Sequence, residues 1–185
     1  MKIIFKAKSL DDYQWVKGSY LASQPINDYI KTQAMLYVYE GDAKHRIVHV
    51  DEKTVCQYTG LDDAKSKEIY RGDILSLEIT KELLESSFSH SNLAKAVKEK
   101  DVTRVLLYIN KKSNNINLEY EVFFEIKGKL NMDEDKCPIV EAFGDDSLFV
   151  RYLIEKGAVI VGNIFDNPGL LNWKVGIEDD TLCDL

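Results

Sequence analysis

QYTGLDDAKSKEIYRGDI, residues 57–74, crowds Gly60, the adjacent Asp62 and Asp63, a run of small and charged residues, and then Gly72 and Asp73 into eighteen positions. Two readings compete: a binding loop with chemistry in it, or turn residues between strands. The flanks favour the second. Tyr58, Ile69 and Tyr70 suit strand ends packed on a core, and Gly60 stands where a turn needs positive φ. Leu61 is expected to tuck back as an apolar plug, and residues 62–67 are a polar connection of hairpin-loop length. Gly72 and Asp73 then form a tight turn into the strand ILSLEI. An aspartate there caps the turn through backbone hydrogen bonds.

The same grammar runs through the first third of the chain. KIIFKAK (2–8) and YQWVKGSYLA (13–22) flank Ser9, Leu10, Asp11 and Asp12, which suit a hairpin turn. QAMLYVY (33–39) and KHRIVHV (44–50) flank a second turn, with Gly41 able to take positive φ. A short strand follows over residues 54–58. The period then changes. ITKELLESSF sets Ile79, Leu83, Leu84 and Phe88 at helical spacing behind the N-cap candidate Thr80, and Leu93 and Val97 continue the pattern weakly. Two short helices, or one broken one, are expected over residues 80–100.

Strands return with TRVLLYI (103–109), a polar turn at KKSNNIN (111–117), and LEYEVFFEI (118–126). The last alternates apolar residues against Glu119, Glu121 and Glu125, the pattern of a half-buried antiparallel strand. CPIVEAF (137–143) reads as a further strand. DDSLFVRYLIEKG (145–157) reads as a helix stopped by Gly157, and AVIVGNIF (158–165) as a buried strand. Asn167 and Pro168 open a single turn over GLL. The resulting fold class is α+β, mainly antiparallel β around a small barrel-like core, with two or three helices. It is expected as one domain over 1–185, divisible into an N-terminal β subdomain (1–57), a barrel-like part (58–175) with a helical insertion at 79–100, and an acidic tail (176–185).

Composition narrows the function classes. The chain has 185 residues and a net charge of −7, which disfavours a protein held to nucleic acid by phosphate contacts. The end, IEDDTLCDL, carries three aspartates and one glutamate with no base, so part of that deficit is local. No apolar run approaches the roughly 20 residues that cross a bilayer, and the start lacks the apolar core of a secretory signal. Cys56, Cys137 and Cys183 are widely spaced, which with no export signal suits reduced thiols in a cytoplasm. No membrane partner is expected.

Candidate chemistry is sparse. His45 and His49 would share a face on a helix, but HRIVH reads as a strand, where four residues separate two rings by roughly 13 Å. Cys56 lies near His49 and Asp51 in sequence, yet nothing else supports a Cys–His nucleophile. No CxxC spacing points to zinc, and no GxxxxGK[ST], GxGxxG or GxSxG run is present. Asp62, Asp63 and Asp73 suggest a general acid/base pair or a cation site, with Asp73 the most interesting. Lys95, Lys98, Lys100 and Arg104 form a modest basic cluster, and ten tyrosines offer stacking surface. No catalytic, metal or cofactor residue is assigned, and no cofactor is expected.

Three ordered segments carry a resemblance. QYTGLDD…KEIYRGDIL, preceded by VDEKTV (50–55), is similar to the signature of the YopX family, small proteins of phages and prophages. FKAK (5–8) with WVKGSY (15–20) resembles the family's opening, and VGNIFDNPGLL (161–171) its closing motif. The matching positions are Trp15, Gly18, Tyr58, Thr59, Gly60, Leu61, Ile69, Tyr70, Gly72, Asp73, Ile74, Gly162, Asn163, Ile164, Asn167 and Pro168, read here as structural. Lys65 and Ser66 depart from the Asn-Gly common in the family's loop, and Arg71 from its acidic residue. The resemblance implies a mostly β fold with a barrel-like core and supplies no mechanism. The expectation is a non-enzymatic accessory protein in the bacterial cytoplasm, working through a protein partner or through copies of itself as a homo-oligomer. The alternatives are a nucleic-acid-associated factor and, third, an enzyme with an acidic site near Asp73.

Overall fold

The computed structural model describes residues 4–22, 34–39, 45–80, 83, 102–109, 120–126, 129–132 and 146–171. The chain divides into two compact units, Met1–Gly60 and Leu61–Leu185.

In the first unit, β1 (Phe5–Lys8) and β2 (Trp15–Ala22) form a hairpin with Lys8 opposite Trp15. The turn closes when the Tyr13 N–H donates to the Ser9 carbonyl. β2 pairs in turn with β3 (Ala34–Tyr39), and β3 with β4 (His45–His49). β5 (Cys56–Asp62) pairs with β1 on the other side, so the order is β4-β3-β2-β1-β5. Alternation separates the faces. Ala7, Ala34, Leu36, Val38, Val48 and Val50 form the core, while Tyr37 and Tyr39 point outward. β2 pairs with β1 through residues 15–18 and with β3 through residues 19–22. Gly18 sits at that handover, where a Cβ would run into the Tyr37 carbonyl. A 3-10 turn over Glu52–Thr54 leads into β5, capped by the Asp51 carboxylate, which accepts from the Lys53 N–H at 3.0 Å.

β5 runs across the boundary at Gly60 and forms a hairpin with β6 (Glu68–Tyr70) in the second unit. β7 (Asp73–Glu78), β8 (Val102–Ile109), β9 (Tyr120–Ile126), β10 (Lys129–Met132) and β11 (Val159–Asn163) form an antiparallel sheet in the order β10-β9-β8-β7-β11. Both faces are covered. On one, Leu75, Leu77, Val105, Leu107, Ile109 and Val122 pack with Val150 and Leu153 of the helix α1 (Asp146–Glu155). On the other, Ile74, Leu106 and Phe123 receive Leu170 and Leu171 from the 3-10 turn Pro168–Leu171.

This architecture corrects the expected fold class. The described residues form two antiparallel sheets with one short α-helix, and no closed barrel. A barrel requires the two edge strands to pair with each other. Among the described residues β10 pairs only with β9 and β11 only with β7, so their five-strand ladder is open, with α1 and the 3-10 turn packed on its faces. Two strands differ from their sequence reading for the same reason. β9 is not half-buried, since Val122 and Phe123 lie in opposite cores. β11 is an edge rather than a buried strand, with Val161 exposed. β10 has no sequence signal that anticipates it. Of the expected helix over 80–100, Thr80 and Leu83 are described: Leu83 is helical, and the Thr80 hydroxyl accepts from its N–H at 3.2 Å, as an N-cap does. The remainder of that segment, CPIVEAF and the acidic tail lie outside the described residues.

Candidate functional site

The turn between β5 and β6 is organised by one side chain. Asp63 is 6% exposed, and its two carboxylate oxygens accept three backbone N–H donors. Oδ1 takes Lys65 at 2.8 Å and Lys67 at 2.9 Å, and Oδ2 takes Ile160 of β11 at 2.9 Å. Burial by itself raises the carboxyl pKa. The N–H donors of Ile160, Lys67 and Lys65, with the Lys67 charge, outweigh it and hold the group below its ordinary value. The Asp63 N–H donates to the Lys67 carbonyl and Ser66 takes φ 62°, so the loop closes without the Asn-Gly common in the family. Leu61 is buried in the core beside Ile69, and Gly60 takes φ 83° within β5.

The second turn uses Asp73 in the same way. Asp73 is 1% exposed, and its Oδ2 accepts the Tyr70 N–H at 2.8 Å across the tight turn. Gly72 takes φ 88°; its N–H donates to the Ile109 carbonyl at 2.7 Å and its carbonyl accepts from Ile164 at 2.9 Å. Tyr70 is buried, with its hydroxyl donating to Glu68 Oε2 at 2.8 Å.

The closing motif meets this turn directly. Asp73 lies opposite Asn163 and Ile74 opposite Gly162 in the β7–β11 ladder. Asn163 Oδ1 accepts from Phe165 and Asp166 N–H groups at 2.9 and 3.0 Å, and its Nδ2 donates to Asp166 Oδ2. Gly162 leaves room for Asn167 and Leu170: a Cβ there would lie 2.5 Å from Asn167 Oδ1 and 2.8 Å from Leu170 Cδ1. Pro168 opens the turn that sends Leu170 into the core. The two signature segments are therefore one structure, joined through β7 and β11.

The opening motif belongs to the first unit. Trp15 stands opposite Lys8, and the Lys6 and Lys8 ammonium groups lie 5.0 and 5.7 Å from its ring centroid. Tyr58 donates its N–H to the Ile4 carbonyl, and Thr59 continues β5.

The remaining candidates scatter. His45 and His49 lie on β4, both exposed and opposite Tyr39 and Met35. Cys56 is buried and not in a disulfide. Asp62 is exposed at the end of β5. Arg104, counted in a basic cluster by sequence, is paired with Glu125 and lies 3.9 Å from Glu78. Lys95, Lys98 and Lys100, with Cys137 and Cys183, lie outside the described residues. No group of three or more His, Cys, Asp or Glu able to hold a metal occurs among the described residues. None of the described helices is long and apolar enough to cross a membrane. Sequence reasoning missed the Asp63–Ile160 bond and the lysines over Trp15. The first spans 97 residues, but alternation in FKAK and WVKG could have signalled the second.

A protein of two antiparallel sheets, whose signature residues close turns and seat one strand on another, is the class that this geometry defines. The chain belongs to the YopX family, described as YopX protein, whose model matches residues 4–172. No curated protein matches it. Among solved structures it is similar to the crystal structure of protein EF1440 from Enterococcus faecalis, at 14% identity and a TM-score of 0.35, covering 92% of this chain and 99% of that one.

Proposed function

We propose that this is a phage- or prophage-type accessory protein that acts in the bacterial cytoplasm through protein–protein contacts, self-association included, and without chemistry of its own. The observation that carries the reading is the outward face of β2, β3 and β4. Tyr39 is 69% exposed, Ile47 57%, Tyr37 38% and Leu21 37%. Register makes them neighbours: Tyr37 is opposite Ile47, and Leu21 opposite Met35. An apolar cluster of this kind beside the edge strand β4 suits a contact with another protein or strand addition. The two buried carboxylates support the non-enzymatic part, since Asp63 and Asp73 are engaged with backbone N–H groups that hold turns.

The test is an affinity pull-down from host lysate that also contains untagged copies of this chain, with and without nuclease. Wild-type bait and Ile47→Asp bait are compared by mass spectrometry. A stoichiometric protein, or the untagged chain, retained by wild type after nuclease and lost from Ile47→Asp supports the reading. Retention that is equal on both baits removes this face as the contact surface.

A further inference from the structure

The strand β11 combines an edge position with a composition that invites pairing. Residues 158–164, AVIVGNI, hold no charged residue and no proline, and four of the seven are β-branched. Short segments of that kind on an open edge take up further strands, and proteins ordinarily blunt such an edge with charge or proline. Among the described residues β11 pairs only with β7, and Val161 is 42% exposed.

The turn between β5 and β6 does the blunting here. The Ala64 N–H donates to the Ala158 carbonyl at 3.0 Å, and the Ile160 N–H donates to Asp63 Oδ2 at 2.9 Å. A carbonyl and the N–H two residues further on lie along one edge of a strand, where a neighbouring strand meets them with one N–H and one carbonyl. Ala64 supplies that donor, and the Asp63 carboxylate supplies that acceptor. The turn is held in shape by the Lys65 and Lys67 N–H groups on Asp63 Oδ1 and by the Ser66 N–H on the Asp63 carbonyl.

We propose that the β5–β6 turn is an autoinhibitory cap on the β11 edge: while it is seated no strand adds there, and when it opens the edge pairs with β11 of a second copy of this chain. Composition selects that occupant, because an uncharged β-branched strand meets its own copy with no like charges opposed across the pair. β11 belongs to the second unit, so this contact is additional to the one proposed for β2, β3 and β4 of the first.

The test is sedimentation velocity on the full chain at pH 7 over a range of concentrations. Every form carries Ile47→Asp, so that association through the face of β2, β3 and β4 does not contribute. Two variants each remove one bond of the cap. Asp63→Asn turns an amide NH2 toward the Ile160 N–H. Ala64→Pro deletes the N–H that reaches Ala158, at the second position of the Asp63–Ser66 turn, where proline fits. The parent should stay monomeric, and both variants should climb toward twice the monomer mass as concentration rises. Adding Val161→Lys, a charge on the edge, should return both to monomer. Leu153→Ala weakens the core, leaves the cap intact and should stay monomeric. Circular dichroism establishes that each form is folded, and Ala64→Pro, which keeps the Asp63 carboxylate, carries the test if Asp63→Asn is not. Folded variants that stay monomeric, a parent that associates as they do, association that survives Val161→Lys, or equal association of Leu153→Ala would overturn the proposal.

Discussion

At the scale of single residues, the family signature places hydrogen-bond acceptors where backbone N–H groups would otherwise be buried without partners. Asp63 is the clearest case, with three donors converging on one carboxylate. An amide cannot replace it: with Oδ1 on Lys65 and Lys67, its NH2 group would face the Ile160 N–H, donor against donor. Asp63→Asn should therefore destabilise the protein by about 1–3 kcal/mol, measured by urea denaturation. The pH dependence has a definite sign. The folded-state pKa lies below 3.8, so this stabilisation is fully present above about pH 4 and is lost as pH falls through the folded value. Asp63→Asn should flatten that part of the acid-denaturation curve. Gly162 acts by absence of a side chain. Gly162→Ala pushes on Asn167 and Leu170 and should cost about 1–3 kcal/mol in the same assay. The tight turn at Gly72 and Asp73 was readable from sequence, because the Asp73–Tyr70 bond that closes it is local. The Asp63–Ile160 bond was not, because nothing in a linear reading ties residues that distant.

At the scale of elements, a strand's sequence reports its alternation but not what covers its second face. LEYEVFFEI reads as half-buried, yet Phe123, on the side facing away from Val122, enters the core that Leu170 and Leu171 complete. AVIVGNIF reads as buried, yet β11 closes one edge of the sheet, and its register slips between Ile160 and Gly162. The helix α1 was legible because its acidic start, apolar stripe and stop at Gly157, with φ 106°, are all local signals. What it covers was not legible. Leu153 is buried among β7, β8 and β9 side chains, so Leu153→Ala should cost about 2–5 kcal/mol, checked by denaturant titration.

At the scale of the molecule, each unit has its own core, and protection should follow it. β7 is buried from Asp73 through Leu77, and its neighbour β8 at Leu106 and Leu107. Amide exchange should be slowest at those positions and faster along β4, an edge strand with four of five residues exposed. Rapid exchange on β7 would show that the second sheet is not the stable centre.

The sequence by itself determined the hairpins, the positive φ of Gly60, the turns at Gly72 and Asn167, the helix at 145–157 and the family, whereas Gly60 lies inside β5 rather than in a turn. Each rests on backbone preferences and side-chain periodicity within a few residues. Only the tertiary structure decided that the described strands form open sheets rather than a barrel, that Asp63 anchors β11, and that Lys6 and Lys8 lie over Trp15. Those outcomes depend on which strand lies beside which, and strand order is set by contacts between segments far apart in the chain.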